Sequence, residues 1–275
     1  MHRPTEEIEI DLLLEAVYQQ WGYDFREYSR ASLTRRLRDF QSLMGVEHLS
    51  QLIPLVLHDR QVFAGLVENI SVTVTEMFRD PFVYKTIRQV VIPYLRTFPS
   101  LNIWVAGCAT GEEVYSLAIL LKEEGIYDRC RIYATDMNEN SLAKAKEGIF
   151  PSQEAKLNTA NYHKAGGLAS FNEYYRSRYD KTMISKDLRE RVLFDTHNLA
   201  SDGAFNKMHL IMCRNVLIYF TKHLQDRVLR LFEDSLCNNG FLVLGTKEEL
   251  GFSSVGNLFK TIAKQEKIFQ KGISL

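Results

Sequence analysis

The run Ile103-Trp104-Val105-Ala106-Gly107-Cys108-Ala109-Thr110-Gly111-Glu112-Glu113 constrains the fold of this chain more than any other stretch. An apolar strand passes into a glycine turn and then into a helix, the order found in sheets that bind ligands at the carboxyl ends of their strands. The glycines let backbone approach a ligand with no Cβ in the way, and a helix starting near Glu112 has free N–H groups in its first turn. Two acids close the turn. They would repel a pyrophosphate and hold a ligand with a cationic end.

A second acid refines this reading. Arg131-Ile132-Tyr133-Ala134-Thr135-Asp136 reads as the next strand, with Asp136 at its end, 25 residues after Gly111. An acid that holds ribose hydroxyls is expected about 20 residues past such a turn. Asp136 could instead cap a helix starting near Asn138. A nucleoside with a positive tail satisfies both features, so S-adenosylmethionine is the expected cofactor. A nicotinamide dehydrogenase fits poorly, because the turn is Gly-x-Ala-x-Gly followed by two acids.

Residues 6 to about 78 carry helical periodicity. Ile8, Leu12, Leu13 and Val17 form one group, Leu33, Leu37 and Phe40 another, and Leu52, Val56, Phe63 and Leu66 a third. The expected fold class is therefore α/β: a Rossmann-like sheet that binds S-adenosylmethionine, preceded by an all-helical domain and carrying a small β-subdomain insertion. The expected boundaries are 1–78 for the helical domain and 79–275 for the sheet domain, with a linker near 70 to 85 and the insertion at about 157–191. Val192-Leu193-Phe194, His209-Leu210-Ile211-Met212-Cys213 and Gly240-Phe241-Leu242-Val243-Leu244 read as short buried strands, with a helix from Lys222 to Cys237 before the last. Phe259 to Ile262 and Lys267 to Gln270 read as an edge hairpin.

Composition removes several alternatives. Lys plus Arg and Asp plus Glu number 34 each, so no global field favours nucleic acid, and no nucleic-acid partner is expected. No run reaches the roughly 18 apolar residues of a membrane span, and the acid-rich stretch after Met1 does not read as a secretory signal, so a cytoplasmic protein without membrane insertion is expected. Cys108, Cys130, Cys213 and Cys237 are scattered and the seven histidines lack a ligand pairing, so no metal is expected.

Three further places hold candidate chemistry. Arg79, after Thr73-Val74-Thr75-Glu76-Met77-Phe78, has a planar guanidinium able to clamp a carboxylate at two points, or it pairs with Asp80 or Glu76. Asn215 and Tyr219, after the strand ending at Cys213, either face the crevice or serve as a helix cap and a core tyrosine. Asn198, after His197, touches a nucleobase or folds its loop.

Taken together, Thr73 to Arg79, Gly111-Glu112-Glu113-Val114-Tyr115-Ser116, Ala134-Thr135-Asp136 and Cys213-Arg214-Asn215-Val216-Leu217-Ile218-Tyr219-Phe220 resemble the CheR-type chemotaxis receptor glutamate methyltransferases. The likeness spans nearly the whole chain. It implies methyl transfer from S-adenosylmethionine to glutamates on the cytoplasmic helical domain of methyl-accepting chemotaxis receptors, with S-adenosylhomocysteine as the other product, by a monomer. Carried over by position, Thr73, Thr75, Arg79, Gly107, Glu113, Asp136, Asn198, Leu199, Arg214 and Asn215 would line the cofactor site. Arg79 and Tyr219 would lie beside the reacting groups. Arg30, Arg35, Arg36 and Arg38 would meet the acidic receptor helix, or they form an ordinary solvated helix face. Two rival functions remain at this point: a carboxyl methyltransferase with a substrate outside chemotaxis, and a regulatory module that senses S-adenosylmethionine without turnover.

Overall fold

The computed structural model describes residues 3–272; Met1, His2 and residues 273–275 lie outside it. The amino-terminal helices are α1 (Thr5–Trp21), α2 (Arg30–Met44), α3 (Leu52–His58) and α4 (Arg60–Ile70). They share one core. The groups Leu33, Leu37 and Phe40, and Leu52, Val56, Phe63 and Leu66, point into it as their spacing predicts. On α1 the inward stripe is instead Ile10, Leu13, Leu14 and Val17, while Ile8 and Leu12 are 43% and 55% exposed. The i, i+3, i+4, i+7 spacing counted from Ile10 lies closest to the helical period, which leaves Ile8 and Leu12 on the flank.

A linker without regular structure leads to α5 (Pro81–Thr86), a π-turn over Ile87–Val91 and α6 (Ile92–Leu95). The α/β part follows as β1 (Leu101–Ala106), α7 (Glu112–Glu123), β2 (Cys130–Asp136), α8 (Glu139–Glu147), β3 (Ile149–Pro151), α9 (Ala155–Lys164), β4 (Tyr175–Arg178), β5 (Lys181–Ile184), β6 (Val192–Thr196), β7 (Met208–Cys213), α10 (Lys222–Ser235), β8 (Leu236–Leu244), β9 (Phe259–Ala263) and β10 (Ile268–Lys271). Seven strands form one sheet in the order β6-β2-β1-β7-β8-β10-β9. The first five are parallel, and β10 runs antiparallel to both β8 and β9, so the terminal hairpin does sit at an edge. A separate antiparallel sheet, β3-β5-β4, forms the excursion. It takes in β3, ahead of residue 157, because Ile149 to Pro151 pair with Lys181 to Met183.

Two further expectations change. The helix before β8 ends at Ser235, and Cys237 already belongs to the strand. Strand β6 is half exposed, with Leu193 at 50%, because it is an edge strand that pairs with β2 alone.

The central strands are apolar without alternation because both faces are covered. Ile103 and Val105 pack with α7 residues such as Val114, Leu117 and Leu121, while Trp104 and Ala106 pack with Val228 and Phe232 of α10. The Trp104 indole N–H is satisfied by Thr135 Oγ1 at 2.8 Å. The strand order reverses between β1 and β7, so the loops leaving these strands part and open a crevice.

The helical core is tight enough to be tested on one residue. Leu37→Ala, at a site with no exposure, is expected to cost about 2–5 kcal/mol in urea unfolding, whereas Leu43→Ala on the same helix, 74% exposed, shifts it by less than about 0.5 kcal/mol. Equal effects would contradict this placement of α2.

Candidate functional site at the carboxyl ends of the central strands

The crevice encloses about 980 Å³ between its walls, solvent at the mouth included. Its floor is the turn after β1. Gly107 lies at φ +75°, and a Cβ there would stand 2.4 Å from Val216 Cγ2, so the two loops at the switch point touch only because the residue is glycine. Gly111, at φ +98°, opens α7.

Asp136, at the end of β2, accepts from Ala109 N–H at 2.8 Å and Asn138 N–H at 2.9 Å. It therefore braces the glycine turn, and the cap of α8 is Asn138, whose Oδ1 accepts from Asn140 and Ser141. Burial pushes the Asp136 carboxyl above its ordinary range, opposed by those N–H donors. Each carboxylate oxygen can accept a further bond, and Asp136 still faces the crevice.

Arg214, just beyond β7, has a side chain only 1% exposed. Its guanidinium donates to Glu113 Oε2 at 2.9 Å and to Asp80 Oδ2 at 2.7 Å and lies 5.7 Å from the Tyr84 ring centroid. Burial raises the Glu113 carboxyl above its usual range while Arg214 pulls it down. Arg79, next to Asp80 in sequence, is half-buried in the crevice wall; it reaches Val74 O at 3.4 Å and makes no ion pair among the described residues. The alternative partners Asp80 and Glu76 are not taken. Asn215 sits at φ +60° and caps no helix; its N–H is held by Glu248 Oε2 at 3.1 Å. Tyr219 ends a short 3₁₀ turn, half-buried, and its hydroxyl has no hydrogen-bond partner among the described residues. Asn198 folds its own loop, its Oδ1 accepting from Ala200 N–H at 3.0 Å, and it also lines the crevice.

The sequence-predicted residues Thr73, Thr75, Arg79, Gly107, Glu113, Asp136, Asn198, Leu199, Arg214, Asn215 and Tyr219 all line this one crevice. Two domain models of one family match the two units in this order. Residues 8–71 match the description "CheR methyltransferase, all-alpha domain", and residues 73–268 match "CheR methyltransferase, SAM binding domain". The chain belongs to the CheR methyltransferase family. Its cofactor is S-adenosylmethionine, and it is an S-adenosylmethionine-dependent methyltransferase of that family. A protein of Pseudomonas putida provisionally named methyltransferase Cher3 is 49% identical over 269 residues, 96% of this chain and 97% of that protein. The chemotaxis protein methyltransferase of Borreliella burgdorferi is 28% identical over 88% of each chain. Among solved structures, magnesium protoporphyrin IX methyltransferase from Synechocystis with bound S-adenosylmethionine covers 70% of this chain and 81% of its own at 15% identity, with a TM-score of 0.38.

The residues present fit that cofactor. A glycine turn, a buried acid with acceptor capacity left at the second strand, and Arg214 with its Nε buried and unpartnered beside Glu113 supply donors and acceptors of both signs. One part of the sequence argument fails. Glu112 does not join Glu113 in the crevice; it is 6% exposed, turned away, and accepts from Thr110 Oγ1 at 2.7 Å. Consecutive helical residues differ by about 100° in direction, so two adjacent acids cannot both face one ligand.

The basic face of α2 is also divided. Arg38 forms a bidentate pair with Glu6 at 2.6 and 2.7 Å, Arg30 pairs with Asp11, and Arg36 donates inward to Asn69 O at 3.0 Å. Arg35 alone of the four is exposed with no ion pair among the described residues. Sequence reasoning missed Tyr28, Met137 and Phe220 in the walls, and it missed Glu248. Glu248 lies 33 residues beyond Asn215, too far for any spacing rule, although a buried acid after β8 is itself a signal.

Burial raises the Glu112 carboxyl from its ordinary 4.5 to about 7. Such a group costs no stability below about pH 4.5, where it is protonated in both states, and costs progressively more as pH rises toward 7, because only the folded chain keeps the proton. Glu112→Gln should therefore gain on the parent between pH 5 and pH 8, by on the order of 2 kcal/mol in thermal melts. A gap that does not change across that range refutes the buried titration.

Proposed function

We propose that the chain transfers a methyl group from S-adenosylmethionine to glutamate side chains on the cytoplasmic helical domain of methyl-accepting chemotaxis receptors, yielding glutamyl methyl esters and S-adenosylhomocysteine. The observation that carries this reading is Arg79: among the described residues, a guanidinium without an ion pair in the same crevice as a tyrosine whose hydroxyl has no hydrogen-bond partner. The bound cofactor supplies an electrophilic methyl group on a sulfonium centre. Asp136, Asn198 and Leu199 would hold its nucleoside end, and Gly107, Glu113, Arg214 and Asn215, with Thr73 and Thr75 from the linker, its amino-acid end.

The acceptor makes modest demands on the protein. A glutamate with a pKa near 4.3 is ionised at neutral pH, so no general base is needed. The residues have to orient the carboxylate and keep water out, and such positioning is worth several kcal/mol. Arg79 orients the incoming carboxylate or the cofactor's own, and Tyr219 orients the donor. Strong charge neutralisation of the attacking oxygen would blunt it, so a half-buried arginine that also leans on Val74 O suits orientation better than full capture. The chain would act as a cytoplasmic monomer, presenting α2 to the acidic receptor helix.

A second reading keeps the cofactor and changes the carboxyl substrate to one outside chemotaxis. The pairing of Arg30 and Arg38 with α1 acids favours it, since it leaves Arg35 as the one exposed arginine of the four without an ion pair among the described residues.

Incubation of the pure chain with labelled S-adenosylmethionine and receptor cytoplasmic fragments should give base-labile methyl esters. Arg79→Ala should lower that transfer about 100-fold and Tyr219→Phe about tenfold, with the fold intact by circular dichroism. Full activity in both removes them from the mechanism. Asp136→Ala should weaken S-adenosylhomocysteine binding at least about tenfold by calorimetry; an unchanged affinity rejects its ribose role. Arg35→Glu should raise KM for receptor fragments and leave cofactor affinity alone. Transfer that ignores this charge reversal points to the second reading.

A further inference from the structure

The segment carrying Asn215 and Tyr219 is framed from two sides. On its own domain's side the buried Glu248 carboxylate accepts from the backbone N–H groups of Gly245 at 2.5 Å, Val216 at 2.8 Å, Asn215 at 3.1 Å and Ile218 at 3.3 Å. That frame stops before Tyr219. The 3₁₀ turn Leu217–Tyr219 uses the carbonyls of Val216 and Leu217 to bond the N–H groups of Tyr219 and Phe220 at 3.1 and 3.0 Å, and leaves the carbonyl of Tyr219 outside the turn.

The second frame comes from the helical unit. Tyr28 and Phe220 form an isolated antiparallel bridge. Ser29 N–H donates to Tyr219 O at 2.7 Å, and Thr221 N–H donates to Glu27 O at 2.9 Å. The Thr221 hydroxyl also donates to Glu27 Oε2 at 2.8 Å, and the Tyr28 and Phe220 rings meet edge to face at 4.9 Å. The residue after Ser29 is Arg30, the first of α2.

We propose that Glu27–Ser29 is a positioning strap: a short segment of the helical unit, running from a turn into the bridge at Tyr28, that fixes the backbone of Tyr219 through the Ser29 N–H, so that the reacting geometry is complete only when both units hold the loop. This rests on the role given to Tyr219 above. The two ladder bonds bracket Phe220, so they fix the backbone on both sides of it. Without the one at Tyr219 O, the ring is held by a three-residue turn with two internal hydrogen bonds and by the Gln225 amide, which donates to Leu217 O at 2.9 Å and Phe220 O at 3.0 Å and leaves Tyr219 O itself unheld. The strap also places the start of the substrate-facing helix one residue from the bond that holds Tyr219.

A single atom can be removed to test this. Ser29 lies at φ −55° and ψ 114° and its side chain caps nothing, so proline fits its backbone and deletes the N–H. The preceding Tyr28 is in a strand bridge, the extended conformation a following proline demands. Ser29→Ala keeps the N–H and is the reference. In the full chain, Ser29→Pro is expected to lower kcat for receptor fragments about tenfold relative to Ser29→Ala, with KM and S-adenosylhomocysteine affinity within about twofold. The fluorine resonance of 3-fluorotyrosine placed at position 219 should broaden or split in Ser29→Pro alone. Unchanged kcat and an unchanged resonance overturn the strap. So does a fall in kcat that Ser29→Ala shares, or one matched by equal losses in KM and cofactor affinity, since either marks domain packing only. If the parent chain fails to methylate the fragments while the resonance still responds to Ser29→Pro, the receptor reading falls and the strap stands.

Discussion

Burial of the Arg214 guanidinium between Glu113 and Asp80 is the interaction on which the crevice depends. A cation removed from water costs several kcal/mol unless its partners are well placed, and here the two carboxylates stand at 2.9 and 2.7 Å. The three residues come from the end of β7, the first turn of α7 and the linker ahead of α5, so the pairing ties three elements together at the switch point. It also dictates what lies beside it. Asp80 and Phe78 both hold left-handed backbone, at φ +53° and +52°, which non-glycine residues keep only when anchored. Asp80 is anchored by Arg214. Phe78 is fully buried, with its N–H bonded to Ser116 Oγ at 2.8 Å. Arg79 lies between two fixed neighbours, so its placement in the crevice wall follows from theirs.

The opposite wall obeys the same logic with the charge reversed. Glu248 is 3% exposed and has no cationic partner among the described residues; its carboxylate is satisfied by backbone N–H groups alone. Burial pushes its carboxyl up, and the donors from Gly245, Asn215 and Ile218 pull it back. Gly245 has to be glycine for this packing, because a Cβ there would fall 2.7 Å from both Asn215 N and Glu248 Oε2. One wall is thus held by a buried arginine between two acids, and the other by a buried acid among backbone donors.

Much of this was legible in the sequence where local rules apply. A strand, a glycine turn and a helix follow from the order of residues 103 to 113, and the parallel sheet follows from apolar runs at β1, β7 and β8, whose faces are both covered. The same rules failed where the outcome depends on partners remote in sequence. Nothing near Arg38 announces Glu6, and nothing near Arg30 announces Asp11, yet these pairs decide how much of the basic face is free. Val192 to Phe194 looks like a buried strand, but its exposure is set by its place at the sheet's edge. Glu112 and Glu113 are indistinguishable as letters, and helical geometry sends Glu113 into the crevice and buries Glu112 outside it, against Thr110.

The charge of the crevice shows why the loss of Glu112 from it does not reverse its preference. Arg214 with Glu113 and Asp80 carries one net negative charge when all three are ionised. Arg79 adds one positive and Asp136 one negative, so these groups together sum to one negative charge. A pyrophosphate would add to that sum, whereas S-adenosylmethionine, with a sulfonium, an ammonium and a carboxylate, opposes it. Burial raises both Glu113 and Asp136, so each carboxylate gains from a cation brought near it. The negative character of the crevice is therefore supplied by Glu113, in the first turn of α7, and Asp136, at the end of β2, and not by two adjacent acids on one helix.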